Sequence, residues 1–233
     1  MTTSFALLIF STALCAWLVV RSIRDHREAM AARHGLLGEA ESLLADAECV
    51  IGPDHYPVVT GCIADGRRVK IELVADNLIT RRLPQLWLRL TLYDAVPGRP
   101  RIGALARPTG GEYYSLVHDM PQWMEPPKTG TSMLVRGDGA AALWQVERVL
   151  GHFGALFADP QVKEAVISAN GVRIMRQAAQ GERAAHLFLR QSRFGIDAVR
   201  AEDIRTGIAL ADALAAVLPV SEPAPLARTT EAA

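Results

Sequence analysis

The sequence predicts an α+β fold, in which an N-terminal transmembrane helix precedes a soluble domain of two antiparallel β-meanders with packed helices. The first observation behind this prediction is an apolar run at residues 2–20 that contains no charged residue. The second is a set of short segments in which apolar and polar residues alternate between turn residues, as in half-buried antiparallel strands. The third is a helical spacing of apolar residues in two later segments. These patterns divide the chain into an anchor (1–20), a juxtamembrane helix (21–47), a first β-meander with a long loop (48–131), a second α+β half (132–218) and a disordered tail (219–233).

The apolar run has the length and the flanks of a membrane anchor. At about 1.5 Å per residue it forms a helix of about 28 Å, close to the roughly 30 Å hydrocarbon core of a bilayer. No lysine or arginine precedes the run, whereas several arginines follow it, so the positive-inside rule places the N-terminus outside and the domain in the cytoplasm. We expect contact with the lipid bilayer through residues 2–20, and four residues at its interface: Trp17, Arg21, Arg24 and Arg27.

Two other interpretations of this run fit less well. A secretory signal peptide has a basic start and a small-x-small cleavage site. Here the start has no basic residue, and Ala16 is followed by Trp17 and further apolar residues. A lipidated cysteine at Cys15 would normally follow a small residue, but Leu14 precedes it. Cleavage of the segment therefore stays open as the alternative to a permanent anchor.

Composition excludes several functional classes. The 25 basic and 25 acidic residues balance, so no bulk positive charge recruits nucleic acid. The three cysteines are too few for a disulfide framework, which fits free thiols in the cytoplasm. If the orientation were reversed, Cys49 and Cys62 could pair.

The first half of the domain has a strand at 68–73, where charges and apolar residues alternate. The preceding Asp65-Gly66 turn predicts a partner strand at about 57–63. A third strand at 86–93 has leucines on one face and Trp87, Arg89, Thr91 and Tyr93 on the other. From 96 to 131 the chain is rich in Pro and Gly, with one edge strand at 102–106. Because long irregular loops are often functional, we expect a protein partner to contact the loop's aromatic residues, Tyr113, Tyr114 and Trp123.

The second half begins with a strand at 132–136, and Asp138 is placed to cap the next helix. That helix ends before Asp159-Pro160, and Trp144 is predicted to lie in its core-facing side. The Asn170-Gly171 turn predicts a hairpin within 166–174, and a third strand is expected at 184–190. A final helix at 201–217 completes the domain. The two halves are similar in outline, which suggests a duplication as a hypothesis.

Two segments resemble parts of a group of bacterial proteins. The segments Arg81-Arg82-Leu83-Pro84-Gln85-Leu86-Trp87-Leu88 and Ala165 to Arg173 are similar to stretches of uncharacterised single-pass membrane-anchored proteins with an α+β soluble domain. The resemblance implies an anchor in the bacterial inner (cytoplasmic) membrane and an α+β domain. It brings no activity, cofactor or site residue.

Few residues suggest chemistry. His118 and Asp119 lie near Glu112 in the long loop, a grouping that could supply a general base with an orienting carboxylate. No histidine pairing creates a metal face, and no phosphate-binding motif implies a cofactor. Lys128-Thr129-Gly130 is similar to an element of penicillin-binding enzymes, but the accompanying serine motifs are absent. The Arg81-Arg82 pair could bind lipid phosphates or simply begin a strand.

The sequence therefore favours a non-enzymatic protein-binding or assembly module that is anchored to the cytoplasmic face of a membrane. The alternatives are a membrane-tethered enzyme that uses His118 and Asp119, and a sensor of anionic lipids.

Overall fold

The structure, a computed structural model, describes residues 2–77, 82–183, 185–186 and 192–218, without the side chains of residues 2–6 and 8. It confirms the α+β class. The helices are α1 (Thr2–His34), α2 (Gly38–Glu41), α3 (Leu143–Leu156) and α4 (Ala201–Ala215), with a 3₁₀ turn at Gly35–Leu37. The strands are β1 (Ala45–Ile51), β2 (Pro57–Cys62), β3 (Arg68–Asp76), β4 (Gln85–Tyr93), β5 (Arg101–Ala106), β6 (Gln122–Met124), β7 (Met133–Asp138), β8 (Val162–Ser168) and β9 (Gly171–Gln180).

The strands form one antiparallel sheet rather than two separate meanders. Its order is β1-β2-β3-β4-β9-β8-β5-β7-β6, so β9 joins the two halves by pairing with β4 over most of its length. The first four strands follow chain order, whereas the remaining five do not. This difference in strand order removes the support for the duplication hypothesis.

The predicted turns occur where the sequence placed them. The β2–β3 hairpin closes at Gly66 (φ +86°), and the β8–β9 hairpin closes at Gly171 (φ +141°). At Gly171 an added Cβ would lie 2.1 Å from the carbonyl oxygen of Leu92, so both the dihedral and the space require glycine.

Helices α3 and α4 cover one face of the sheet, which we call the helix face. The leucines of β4 point to this face and are fully buried, together with Phe153 of α3 and Leu214 of α4. Packing is close where α4 crosses β4: an added Cβ on Gly207 would lie 2.4 Å from Leu90 Cδ1. This face contains most of the hydrophobic core.

A loop at 107–121 covers part of the opposite face, which we call the loop face. Val117 and Met120 of this loop pack against Leu105 and Val166 in the sheet. Gly103 lets the loop approach the sheet, because an added Cβ there would lie 3.0 Å from Val117 Cγ2 and from Met120 Cε. Residues 107–121 of the predicted loop therefore pack against the sheet.

Helix α1 runs without a break through residues 2–34 and therefore continues across the predicted boundary at residue 20. Within the described residues, no helix is long and apolar enough to cross a membrane. The predicted transmembrane helix thus has no support in the structure. The last part of α1 contacts the domain, where the Arg33 guanidinium lies 4.9 Å from the ring centre of Tyr56.

Several local predictions were wrong. Residues 45–47 belong to β1 and not to a helix, and β5 lies between β8 and β7 instead of at an edge. Asp138 ends β7 and pairs with Arg101, while α3 begins later, after Ala142. Trp144 is not core but 50% exposed, since α3 turns that side to solvent.

Other predictions fall outside the described residues. These are Arg81, most of the strand expected at 184–190, and the tail at 219–233. Arg82 is described, and its Nη2 lies 3.1 Å from Asp76 Oδ2, so an ion pair in the domain accounts for this side chain.

Candidate functional site

The loop at 107–121 leaves the sheet through a left-handed residue. Arg107 has φ +48°, an unusual conformation for a residue with a side chain. Its Nη2 donates hydrogen bonds to the carbonyl oxygens of Pro160 and Val162, both at 2.8 Å. These bonds hold the turn at the start of the loop.

A buried ion pair then attaches the loop to the sheet. Lys163 Nζ donates to Glu112 Oε1 at 2.8 Å and to the carbonyl oxygens of Ala106 and Arg107 at 2.9 and 3.0 Å. Glu112 also accepts hydrogen bonds from the backbone N–H groups of Thr109 and Gly110 and from the Thr109 hydroxyl. Both charged groups are buried, and three donors on lysine meet three acceptors. We call Glu112 and Lys163 the loop clamp.

A β-bulge explains how the sheet supplies this lysine. Between Val162 and Glu164 the register of β8 against β9 shifts by one residue. Neighbouring strand residues normally point to opposite faces, but a bulge can place two in a row on the same face. Lys163 and Glu164 consequently both reach the loop.

Glu164 forms a second buried contact with the loop. Its Oε2 accepts a hydrogen bond from the Leu116 backbone N–H at 3.1 Å, and its Oε1 lies 3.2 Å from Arg173 Nε. Arg173 Nη2 in turn donates to the Tyr114 carbonyl oxygen at 2.6 Å. Two charged groups of the sheet thus bind backbone atoms of the loop.

These environments shift the ionisation of the buried groups. Burial alone would raise the pKa of Glu112, but hydrogen bonds from Lys163 and Thr109 outweigh it and lower the pKa from 4.5 to about 2. Burial lowers the pKa of Lys163 and raises the pKa of Glu164. Glu112 is therefore ionised in the folded protein over the neutral range.

The structure brings two of the three predicted catalytic candidates together. His118 Nε2 lies 3.6 Å from Glu112 Oε2, beyond hydrogen-bond distance, and a third of the His118 side chain is exposed. Asp119 is exposed on the outside of the loop. The hydrogen bonds of Glu112 go to the clamp and to the loop backbone.

Two of the three predicted partner-binding residues are exposed on the loop face. Tyr113 is 60% exposed, and its hydroxyl donates to the Ala75 carbonyl oxygen at 2.9 Å. Trp123 is 66% exposed on edge strand β6; it is the register partner of Arg136, whose side chain reaches the loop. Tyr114 differs, because it is buried against Trp87.

A groove lies beside the loop on the same face. It crosses β4, β9, β8 and β5, has a volume of about 190 Å³, and is walled by Leu116 of the loop and by Tyr93 of β4. Tyr93 is 47% exposed and shares the face of Trp87. The other lining residues are Thr91, Arg101, Val166, Ser168, Asn170, Gly171, Val172 and Arg173.

The four predicted interface residues lie along α1, and all are exposed. The Arg21 guanidinium lies 5.8 Å from the Trp17 ring centre. Arg24 donates to Glu28 at 2.8 Å, which raises the pKa of this arginine, and Arg21 lies 3.8 Å from Asp25. Acidic neighbours on α1 thus pair with two of the three arginines.

Sequence reasoning missed Lys163, Glu164 and Arg173. Two consecutive charges inside the apolar strand β8 were the available signal, because charged residues are rarely buried without a partner. In the described part of the chain, no group of three or more His, Cys, Asp or Glu side chains could hold a metal ion.

Comparison of the chain with family models, curated proteins and solved structures finds no match.

Proposed function

We propose that this protein is a non-enzymatic binding module whose loop face contacts a protein partner and whose helix α1 attaches it to a membrane. The observation that carries the proposal is the set of exposed aromatic side chains on the one sheet face that α3 and α4 leave uncovered. They are Tyr93, Tyr113 and Trp123.

Exposed tyrosine and tryptophan favour recognition for a physical reason. Each offers a large rigid apolar area and a polar group, and such residues dominate the binding energy of protein interfaces. Tyr113 is further restrained by its hydrogen bond to Ala75 and by edge contact with Tyr114, whose ring centre is 5.3 Å away. A restrained aromatic loses little entropy when a partner binds it.

The buried charges support a binding role better than a catalytic one. Glu112 accepts four hydrogen bonds that hold residues 109–110 and Lys163 in place. We therefore assign this carboxylate to positioning the loop and not to orienting His118. The loop clamp, which joins Glu112 to Lys163 of β8, holds the neighbouring Tyr113 above the sheet.

Membrane attachment is supported by the sequence and by exposure on α1. An exposed apolar surface of this kind needs a cover of lipid or protein, and the absence of charge from residues 2–20 favours lipid. The described large apolar side chains that are exposed on this helix are Leu7, Ile9, Phe10, Leu14, Trp17, Leu18, Val19, Val20 and Ile23.

The partner surface can be tested in cells with the full chain. Tyr113→Ala and Trp123→Ala remove exposed loop-face aromatics, and Trp144→Ala removes a half-exposed aromatic from α3 as a matched control. After crosslinking and quantitative affinity purification, we expect at least one partner to fall about tenfold or more with both loop-face variants. Its recovery should be unchanged with the Trp144 control. Identical partner profiles for all three variants would refute the loop-face assignment.

Attachment and orientation need separate measurements. We expect the full chain to stay in the membrane fraction after carbonate extraction, and a variant without residues 2–20 to be released. A C-terminal tag should resist protease in spheroplasts if the domain lies in the cytoplasm. Release of the full chain by carbonate would overturn membrane attachment. Digestion of the tag would overturn the cytoplasmic orientation of the domain.

A further inference from the structure

The groove beside the loop suggests the chemistry of the partner. We propose that it binds an acidic side chain, flanked by apolar residues, in an extended segment of the partner protein. This proposal rests on the proposed function, because it places the segment on the same loop face.

Charge complementarity is the first argument. Arg101 and Arg173 line the groove, and no carboxylate does among its described lining residues. Arg173 uses Nε and Nη2 toward Glu164 and Tyr114, while none of the described residues accepts a hydrogen bond from its Nη1. Arg101 uses one nitrogen, Nη1, for Asp138 at 3.1 Å. Each guanidinium therefore has donors left for a carboxylate oxygen, which arginine binds well.

The volume of the groove selects the kind of ligand. A space of about 190 Å³ is smaller than the roughly 300–1,000 Å³ of typical small-molecule and cofactor sites. A space of this size suits one or two side chains. The groove thus fits an anchoring part of a peptide.

The shape of the floor agrees with an extended segment. Ser168 and Gly171 are paired in register, and their small size makes this part of the sheet surface shallow. Leu116 and Tyr93 form the walls of the groove. Three strand spacings of about 4.8 Å separate β4 from β5, which gives a path of about 14 Å. Four to five extended residues cover this distance at roughly 3.3 Å each.

The two arginines differ in what a substitution would do to the fold. Arg173 lies next to the buried Glu164, so its removal would leave that carboxylate without its partner. Arg101 lies at the start of β5 with its side chain one third exposed, and its ion pair with Asp138 is also partly exposed. Arg101→Gln therefore removes a ligand-facing charge with little damage to the sheet.

The test uses the full chain in detergent and a peptide of known composition. Acetyl-Leu-Glu-Leu-amide is titrated against the ¹⁵N-labelled protein, with acetyl-Leu-Gln-Leu-amide as the neutral match. We expect saturable shifts at the backbone N–H groups of Ser168, Gly171 and Arg173 with the acidic peptide, and at least tenfold weaker binding of the neutral one. Equal binding of both peptides, or no shift at these groups, would overturn the proposal.

Two arginine variants test whether the charge of Arg101 binds the acidic peptide. Arg101→Gln should weaken the acidic peptide about tenfold or more, whereas Arg205→Gln on the exposed side of α4 should leave its affinity unchanged. The same loss in both variants would indicate general charge attraction and would refute the groove. If Tyr113 and Trp123 variants lose a cellular partner while the peptide fails to bind, the groove proposal fails and the loop-face function stands. If the peptide binds but the Tyr113 and Trp123 variants lose no partner, the groove proposal stands and the loop-face function fails.

Discussion

Removing one member of the loop clamp should destabilise the protein strongly, and removing both should not. In Glu112→Gln the Lys163 ammonium keeps two carbonyl acceptors but loses its countercharge in a site where only 2% of its side chain is exposed. In Lys163→Met the carboxylate of Glu112 keeps its donors from residues 109–110 but loses its ion pair with the ammonium group. Leaving one buried charge unpaired costs about 3–5 kcal/mol, so each variant should lose about 3 kcal/mol of stability.

The double variant separates the pair from the packing around it. With both charges replaced by neutral groups of similar size, no buried charge is left unpaired. The free energy of unfolding should therefore change by only about 1 kcal/mol. The coupling energy of the double-mutant cycle should therefore be several kcal/mol, well above the value for independent sites. Asp138→Asn, which breaks the partly exposed pair with Arg101, serves as the control and should cost no more than about 1 kcal/mol.

Urea denaturation followed by circular dichroism gives these free energies of unfolding. Amide hydrogen exchange gives a local readout, because the backbone N–H groups of Thr109 and Gly110 bond to Glu112 and should lose protection in both single variants. If the single variants cost no more than the Asp138 control, and the protection of residues 109–110 is unchanged, the buried pair does not hold the loop.

Three further predictions concern packing and pH. Gly103→Ala should cost about 1–3 kcal/mol by displacing the loop, whereas Gly130→Ala, with open space around it, should have no comparable effect on the thermal midpoint. Gly207→Ala should also destabilise, through its clash with β4, and a wild-type midpoint would contradict the close crossing of α4. Since the pKa of Glu112 is lowered from 4.5 to about 2, its contribution is complete above pH 4.5 and is lost as pH falls toward 2. Urea titrations at pH 6 and pH 3 should thus show a smaller acid effect in Glu112→Gln, and equal effects would refute the assigned shift.

The sequence predicted those parts of the fold that depend on neighbours along the chain. The β4 strand and its leucine face, the turns at Gly66 and Gly171, and the α4 stripe that includes Leu214 all agree with the structure. Each rests on a pattern that repeats over two to four residues, or on the dihedral freedom of a single glycine. Such local patterns can be identified from the sequence because their physical cause lies in residues that are close together along the chain.

The arrangement of strands depends on distant pairings that the sequence patterns did not reveal. The segment at 102–106 looks like an edge strand because proline and glycine flank it, yet β5 lies between β8 and β7. Residues 45–47 follow a helical region, and the sequence predicts that they belong to it, although pairing with β2 makes them part of β1. In both cases a partner strand that is close in space decides the outcome.

The candidate site illustrates the same limit at the level of single side chains. The sequence singled out Glu112 for its position near His118, but the residue that binds it is 51 positions away on β8. No alternation pattern predicts Lys163 on the loop face, because a bulge changes the direction of one residue in the strand. The exposed Tyr113 and the buried Tyr114 are adjacent, and only the packing of Tyr114 against Trp87 distinguishes them.

The position of the buried charges explains why this loop is held by a salt bridge as well as by apolar contacts. Val117 and Met120 bury area against the sheet, but apolar contact has little directionality and tolerates small displacements along the surface. Hydrogen bonds from Lys163 and from residues 109–110 to Glu112 fix both the distance and the angle. Glu112 directly precedes Tyr113 and lies four residues before the groove wall at Leu116. The proposed recognition surface therefore depends on the geometry of one buried carboxylate that itself lies outside the groove.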